Sequence, residues 1–229
     1  MTLHMRNSMT HAEFDNLIAD ALAPKRKAAI YRDYAKRALD ITFVLAAAVP
    51  VVMILLVLAA IISLDGKSPF YLQKRVGQGG RIFKMWKLRS MVHNADTLLQ
   101  DFLASNPTAR TEWERTQKLR HDPRITRVGQ MIRKTSLDEL PQLWNVLRGD
   151  MSLVGPRPMM IEQQKIYPGT AYYALRPGIT GFWQTSVRND SSFDERAFFD
   201  TNYLRDVSLI TDLRVLARTV MVVVNGTGV

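Results

Sequence analysis

The run ITFVLAAAVPVVMILLVLAAIISL, Ile41–Leu64, constrains this chain more than any other stretch, being roughly two dozen residues without a charge and long enough to cross a bilayer. A core helix of a soluble protein seldom runs this far without a polar face, so membrane insertion is expected. The run starts too far from Met1 for a signal peptide and lacks a small-residue cleavage site. Two features argue against a simple crossing. Pro50 lies inside the run, where it removes a backbone donor and bends the helix. Basic residues flank both ends: Lys25, Arg26, Lys27, Arg32, Lys36 and Arg37 precede it, and Lys67, Lys74, Arg75, Arg81, Lys84, Lys87 and Arg89 follow. Cytoplasmic flanks collect Lys and Arg, so both ends are expected on the cytoplasmic side. A helix broken at Pro50 that enters one leaflet and returns satisfies both features. A proline-kinked spanning helix is the alternative, because spanning helices tolerate proline.

Across 229 residues, 31 Lys and Arg face 21 Asp and Glu, and the net charge of +10 calls for a polyanionic partner. Nucleic acid, anionic lipid and a phosphorylated substrate all qualify by charge. A nucleic-acid binder leaves the apolar run unexplained, so no nucleic-acid partner is expected. With no cysteine, disulfides, thiolate metal sites and thiol catalysis are excluded. His4, His11, His93 and His121 are scattered without ligand spacing, and no G-x-S-x-G, Walker or G-x-G-x-x-G sequence occurs.

Beyond the apolar run, Pro69–Met91 reads as two short strands around Gly77-Gln78-Gly79-Gly80, glycines that either turn the chain or cradle a phosphate. Asp96–Leu119 is helical in two pieces broken at Asn106-Pro107, with Leu98, Leu99, Phe102 and Leu103 expected in core packing. Ile125–Leu147 reads as two short helices joined near Thr135-Ser136, and Ala197–Val224 as one or two more. VGPRP (Val154–Pro158) and LRPGITGFWQ (Leu175–Gln184) read as loops, and long ordered loops tend to be functional. The expected fold class is α+β and helix-rich: a membrane-embedded re-entrant helix-break-helix hairpin, a small β-hairpin and irregular loops.

Within TSLDELPQLW the adjacent carboxylates Asp138 and Glu139 have two readings. One is a capping box, in which Ser136 accepts from the Glu139 amide and Glu139 reaches back. Pro141 speaks against it, because a helix capped at Ser136 would lose a backbone bond there. In the other, the helix starts at or after Asp138, leaving both carboxylates at an open, anion-attracting end. Arg133 and Lys134 would then keep Asp138 ionised. Such a carboxylate can hold a divalent metal through oxygen or attack phosphorus.

KRALD (Lys36–Asp40), KLRSM (Lys87–Met91), RKTSLDELPQLWNVLRGDMSLVGPRP (Arg133–Pro158), RPGITGFWQ (Arg176–Gln184) and the pair Asp200 and Tyr203 occur in one order. In these motifs, from about Tyr34 to Val224, the sequence resembles the bacterial sugar transferases, the monotopic phosphoglycosyl transferases, in their compact exopolysaccharide-initiating form. The resemblance implies transfer of a hexose 1-phosphate from a UDP-sugar, UDP-galactose or UDP-glucose, to undecaprenyl phosphate with release of UMP. It implies Asp138 as nucleophile, Glu139 as its partner, and Mg2+ held at Asp138 and Glu139. Lys87, Arg133, Arg157, Arg188 and Asp200 take substrate or phosphate roles by the same resemblance. The family's re-entrant break falls at Ser-Pro, and here the pair is Val49-Pro50. The domain reading that follows is an N-terminal extension over 1–30, a re-entrant helix over 31–66 and a cytoplasmic catalytic domain over 67–229 at a bacterial inner membrane. A homodimer is left open. Trp86, Trp144, Phe182 and Trp183 either pack in the core or set depth at the lipid interface.

Overall fold

A computed structural model describes residues 30–116, 119, 121–186 and 193–224; the extension before Ile30 lies outside the described residues. The chain is α+β and helix-rich. A π-helical turn, Tyr31–Ala35, leads into α1, Lys36–Ile62. The paired strands β1 (Phe70–Val76) and β2 (Ile82–Leu88) follow, then α2 (Ala95–Ser105), α3 (Pro107–Thr116), α4 (Arg127–Lys134) and α5 (Gln142–Arg148). The chain continues through β3 (Ser152–Val154), α6 (Ala171–Ala174), β4 (Gly178–Thr180), α7 (Phe182–Ser186), α8 (Phe193–Asp206) and α9 (Leu209–Val224). Two compact units emerge. The first holds the described residues of Met1–Ala48, Gln73–Met85 and Gln142–Met221; the second holds those of Val49–Leu72, Trp86–Pro141 and Val222–Val229.

α1 continues through Pro50, so the break expected there is not seen. Proline removes one backbone donor, and the rest of the 27-residue helix keeps its own main-chain bonds. Among the described residues α1 is the helix long and apolar enough to cross a membrane, and most of its side chains between Phe43 and Ile61 are exposed. Its two ends are not. Val44 is buried with Phe83, Met85, Val146 and Met151 in the first unit, and Leu58 with Leu88 and Ile132 in the second.

The charges of KRALD anchor the start of α1. Lys36 Nζ lies 2.6 Å from the buried Asp212 of α9, Asp40 accepts from the Leu153 amide at 3.0 Å, and Arg37 donates to the Val146 and Leu147 carbonyls. Those carbonyls close α5, so Arg37 satisfies groups a helix end leaves orphaned. Counting Lys36 and Arg37 as membrane-flanking charge therefore needs correction, since both are committed to protein. At the far end, Arg89 donates to the Ile62 carbonyl at 3.0 Å and pairs with Asp65 at 2.6 Å.

The hairpin forms as expected, with Gly79 and Gly80 at positive φ and Gly77 N bonded to Arg81 O at 2.7 Å; these glycines turn the chain. The break at Asn106-Pro107 is also present, but Leu98, Leu99, Phe102 and Leu103 are half-buried rather than core. Two short strands are not evident in the sequence: Ser152–Val154, which ends where VGPRP begins, and Gly178–Thr180, within LRPGITGFWQ, pair in parallel, with Ser152 opposite Gly178 and Val154 opposite Thr180. Three residues each are too few for alternation to reveal them. The glycines of VGPRP and RPGITG permit this pairing, because a Cβ on Gly155, Gly178 or Gly181 would collide with main-chain atoms of the facing segment. Beside the pair, Val154, Leu175, Tyr203, Leu204, Val207 and Val215 make the largest core cluster of the first unit.

Candidate active site

The carboxylate pair stands in the second unit, in a turn the local sequence forces. α4 ends at Thr135, whose hydroxyl donates to the Met131 carbonyl at 2.8 Å. Ser136 then adopts a left-handed backbone, φ 56° and ψ 19°, and among the described residues no other non-glycine residue has a positive φ. Such a conformation costs an L-residue roughly 1–2 kcal/mol and persists only where its surroundings hold it. A 3-10 turn, Leu137–Glu139, follows, and α5 begins only at Gln142, past Pro141. The capping box does not form: Ser136 makes no side-chain cap bond, and the turn is closed by main-chain bonds from Glu139 to Ser136 at 3.2 Å and from Leu140 to Leu137 at 3.3 Å. Deferring the helix past the proline leaves both carboxylates without a capping role.

Lys87, near the end of β2, brings its Nζ to 2.8 Å from Glu139 Oε1 and 3.6 Å from Asp138 Oδ2. Asp138 is 7% exposed and Glu139 half-buried. Burial pushes the Asp138 carboxyl above its ordinary value; Lys87 opposes this, Glu139 reinforces it, and Arg133 pulls it down from farther off. The expectation that Arg133 and Lys134 hold Asp138 ionised is thus revised on two counts. The nearest cation is Lys87, brought in by another element, and the net shift is upward. Lys134 is exposed on α4.

Among the described residues no three His, Cys, Asp or Glu side chains gather into a closed metal cage. Asp138 and Glu139 offer oxygen donors alone. That set fits Mg2+, which takes one or two protein carboxylates and completes its shell with water and substrate phosphates.

Arg157 and Asp200 come together in the first unit, lining a pocket with Tyr167, Trp183 and Arg196. Tyr167 Oη donates to Asp200 Oδ2 at 2.8 Å. Burial pushes the Asp200 carboxyl up to about 7, against the opposing pull of the Tyr167 bond and the Arg196 charge. The guanidinium carbons of Arg157 and Arg196 stand 5.3 and 4.4 Å from the centre of the Trp183 ring, within cation–π range. Trp183 is therefore buried pocket wall, while Trp144 is exposed on α5. Arg188 lies outside the described residues. Sequence reasoning missed Arg196, Tyr167 and the pocket role of Trp183. One signal was available: Arg196 and Asp200 are four apart on α8 and so share a face.

Residues 31–226 match the sequence profile described as bacterial sugar transferase. A UDP-galactose-lipid carrier transferase of Erwinia amylovora is 47% identical over 201 residues, 85% of this chain and 42% of that protein. The exopolysaccharide production protein ExoY of Sinorhizobium fredii is 45% identical over 188 residues, 81% of this chain and 83% of that protein. An undecaprenyl-phosphate galactose phosphotransferase of Salmonella typhimurium is 49% identical over 166 residues, 72% of this chain and 35% of that protein. The match thus spans less than half of the Erwinia and Salmonella proteins and most of ExoY.

Proposed function

The chain belongs to the bacterial sugar transferase family, and from that membership we propose that it transfers a hexose 1-phosphate from a UDP-sugar to polyprenyl phosphate, releasing UMP. The observation that carries the proposal is the Lys87–Glu139–Asp138 cluster, a desolvated carboxylate beside a cation in a turn freed from capping. The names of the Erwinia and Salmonella relatives support a galactose donor and an undecaprenyl phosphate acceptor, with UDP-glucose as the alternative donor.

An Asp138 carboxylate oxygen attacks the sugar-linked phosphorus, forming an acyl phosphate as the bond to UMP breaks. A phosphate oxygen of the polyprenyl acceptor then attacks the same phosphorus, and the bond to Asp138 breaks, restoring the carboxylate. Burial withholds water from Asp138, so its ionised form is more basic and more nucleophilic than an exposed aspartate. Lys87 keeps that form accessible and, with Arg133, offsets negative charge arriving with the donor. Asp138 and Glu139 would hold Mg2+, which supplies charge neutralisation to the phosphates when bound. Arg157, Arg188 and Asp200 serve the phosphate-bearing substrates in this reading.

The site works at a membrane because one substrate is a lipid. α1 inserts its exposed apolar middle into the membrane; a return to the same face would require a break at Pro50 that the continuous helix does not show. The test is a panel of UDP-sugars with undecaprenyl phosphate, scored by UMP release. Asp138→Asn abolishes release and the hexose-phosphate adduct seen by mass spectrometry after donor treatment. Normal turnover by that variant refutes the mechanism.

A further inference from the structure

Two guanidiniums share one indole in the first unit. Arg157 is exposed and pairs with no carboxylate among the described residues. Arg196 is held against the same Trp183 ring, and burial first, then the Arg157 charge, pulls it down to about 10. Arg75 adds further positive charge nearby. Bringing like charges onto one ring costs free energy that an arriving anion recovers. Asp200 lines the same pocket and is already bonded by Tyr167. Trp183 is 8% exposed, so it orients the guanidiniums rather than offering a face for a nucleobase. Planar forks match phosphate oxygens in a way a lysine does not.

We propose that Arg196 is a substrate-binding residue: with Arg157 it forms a clamp on Trp183 that takes a phosphoryl group of one of the two substrates. The identity of that substrate rests on the proposed reaction; the anion-binding itself does not. A diphosphate from the nucleotide donor and the headgroup of the polyprenyl acceptor present the same chemistry, and the experiment separates them. Asp200 reports occupancy, since an anion arriving near it favours its protonated form. The groups facing it are Tyr167 and Arg196, with Arg157, Tyr172 and Arg75 around them.

Full-length protein in detergent micelles is titrated with UDP and, separately, with a short polyprenyl phosphate by calorimetry. Arg196→Gln weakens one of them roughly ten- to a hundred-fold, the loss of charge-assisted hydrogen bonds, and Arg196→Lys weakens it less. A loss confined to UDP assigns the nucleotide diphosphate, and one confined to the lipid assigns the headgroup. At pH 7 wild type takes up more protons on binding than Asp200→Asn does, read from heats in buffers of different ionisation enthalpy, because the phosphate's own ionisation is common to both. A purely structural Arg196 leaves both ligands bound as in wild type, and that result in Arg196→Gln and Arg196→Lys overturns the clamp. Should Arg196→Gln not fold, Arg196→Lys decides by the same comparison. Should wild type bind neither ligand, the proposed reaction falls and the clamp is judged on inorganic pyrophosphate, failing if Arg196→Lys binds it as wild type does.

Discussion

Asp200 carries the largest testable consequence at the scale of single residues. Burial raises its carboxyl from 3.8 to about 7, so between these values the folded protein holds a proton that the unfolded chain releases. The folded state binds more protons there, and stability falls as pH rises through that window, then levels off. The full cost above pH 7 is about 4 kcal/mol at 1.36 kcal/mol per unit. Asp200→Asn keeps an acceptor for Tyr167 without the charge. Its melting temperature is therefore expected above wild type at pH 8 and close to it at pH 4; an equal difference at both pH values contradicts the buried charge. Ser136 makes a second case, because its left-handed backbone suits glycine. Ser136→Gly is expected to melt at or above wild type and Ser136→Val well below, a contrast that reads the strain directly. Asp138 and Glu139 could be picked out from the sequence because Pro141 conflicts with capping. Lys87 could not be placed beside them without β2, nor Arg196 beside Arg157 without α8.

At the scale of elements, α1 shows what hydropathy does and does not specify. Its length and apolar character follow from composition. Its continuity through Pro50 was not legible, because a proline in such a run is compatible with a break as well as with an unbroken helix. Since the chain has no cysteine, single cysteines at Tyr34 and Lys67, both exposed, report the sidedness of its ends. A returning helix leaves both labelled by a membrane-impermeant maleimide from the cytoplasmic side of inverted vesicles. Labelling from opposite sides establishes a spanning helix. The β3–β4 pair is the complementary case, invisible to periodicity but imposed by glycines that admit close main-chain approach. Gly178→Ala is expected to destabilise by about 1–3 kcal/mol or more, as overpacking does, measured by thermal or denaturant unfolding.

On the scale of the whole molecule, a net charge of +10 and an exposed apolar helix act together. Charge attraction to anionic lipid is screened by salt, whereas burial of α1 in hydrocarbon is not. Washing membranes with 1 M salt, where screening acts within about 3 Å, is expected to leave the protein in the membrane fraction, with detergent releasing it. Release by salt alone would mean that α1 is not inserted. Charge was a poor guide to where the basic residues act. Lys36, Arg37 and Arg89 all read as cytoplasmic flank of the apolar run, and each is bonded to a protein partner.

The sequence by itself determined the family, the apolar helix, the hairpin and the carboxylate pair, because each depends on residues close together in the chain or on a run of one chemical character. Only the tertiary structure decided which cations meet which carboxylates, how far burial shifts Asp138 and Asp200, and that two arginines share Trp183. Those outcomes depend on side chains from distant segments losing water together, and local pattern does not record that loss.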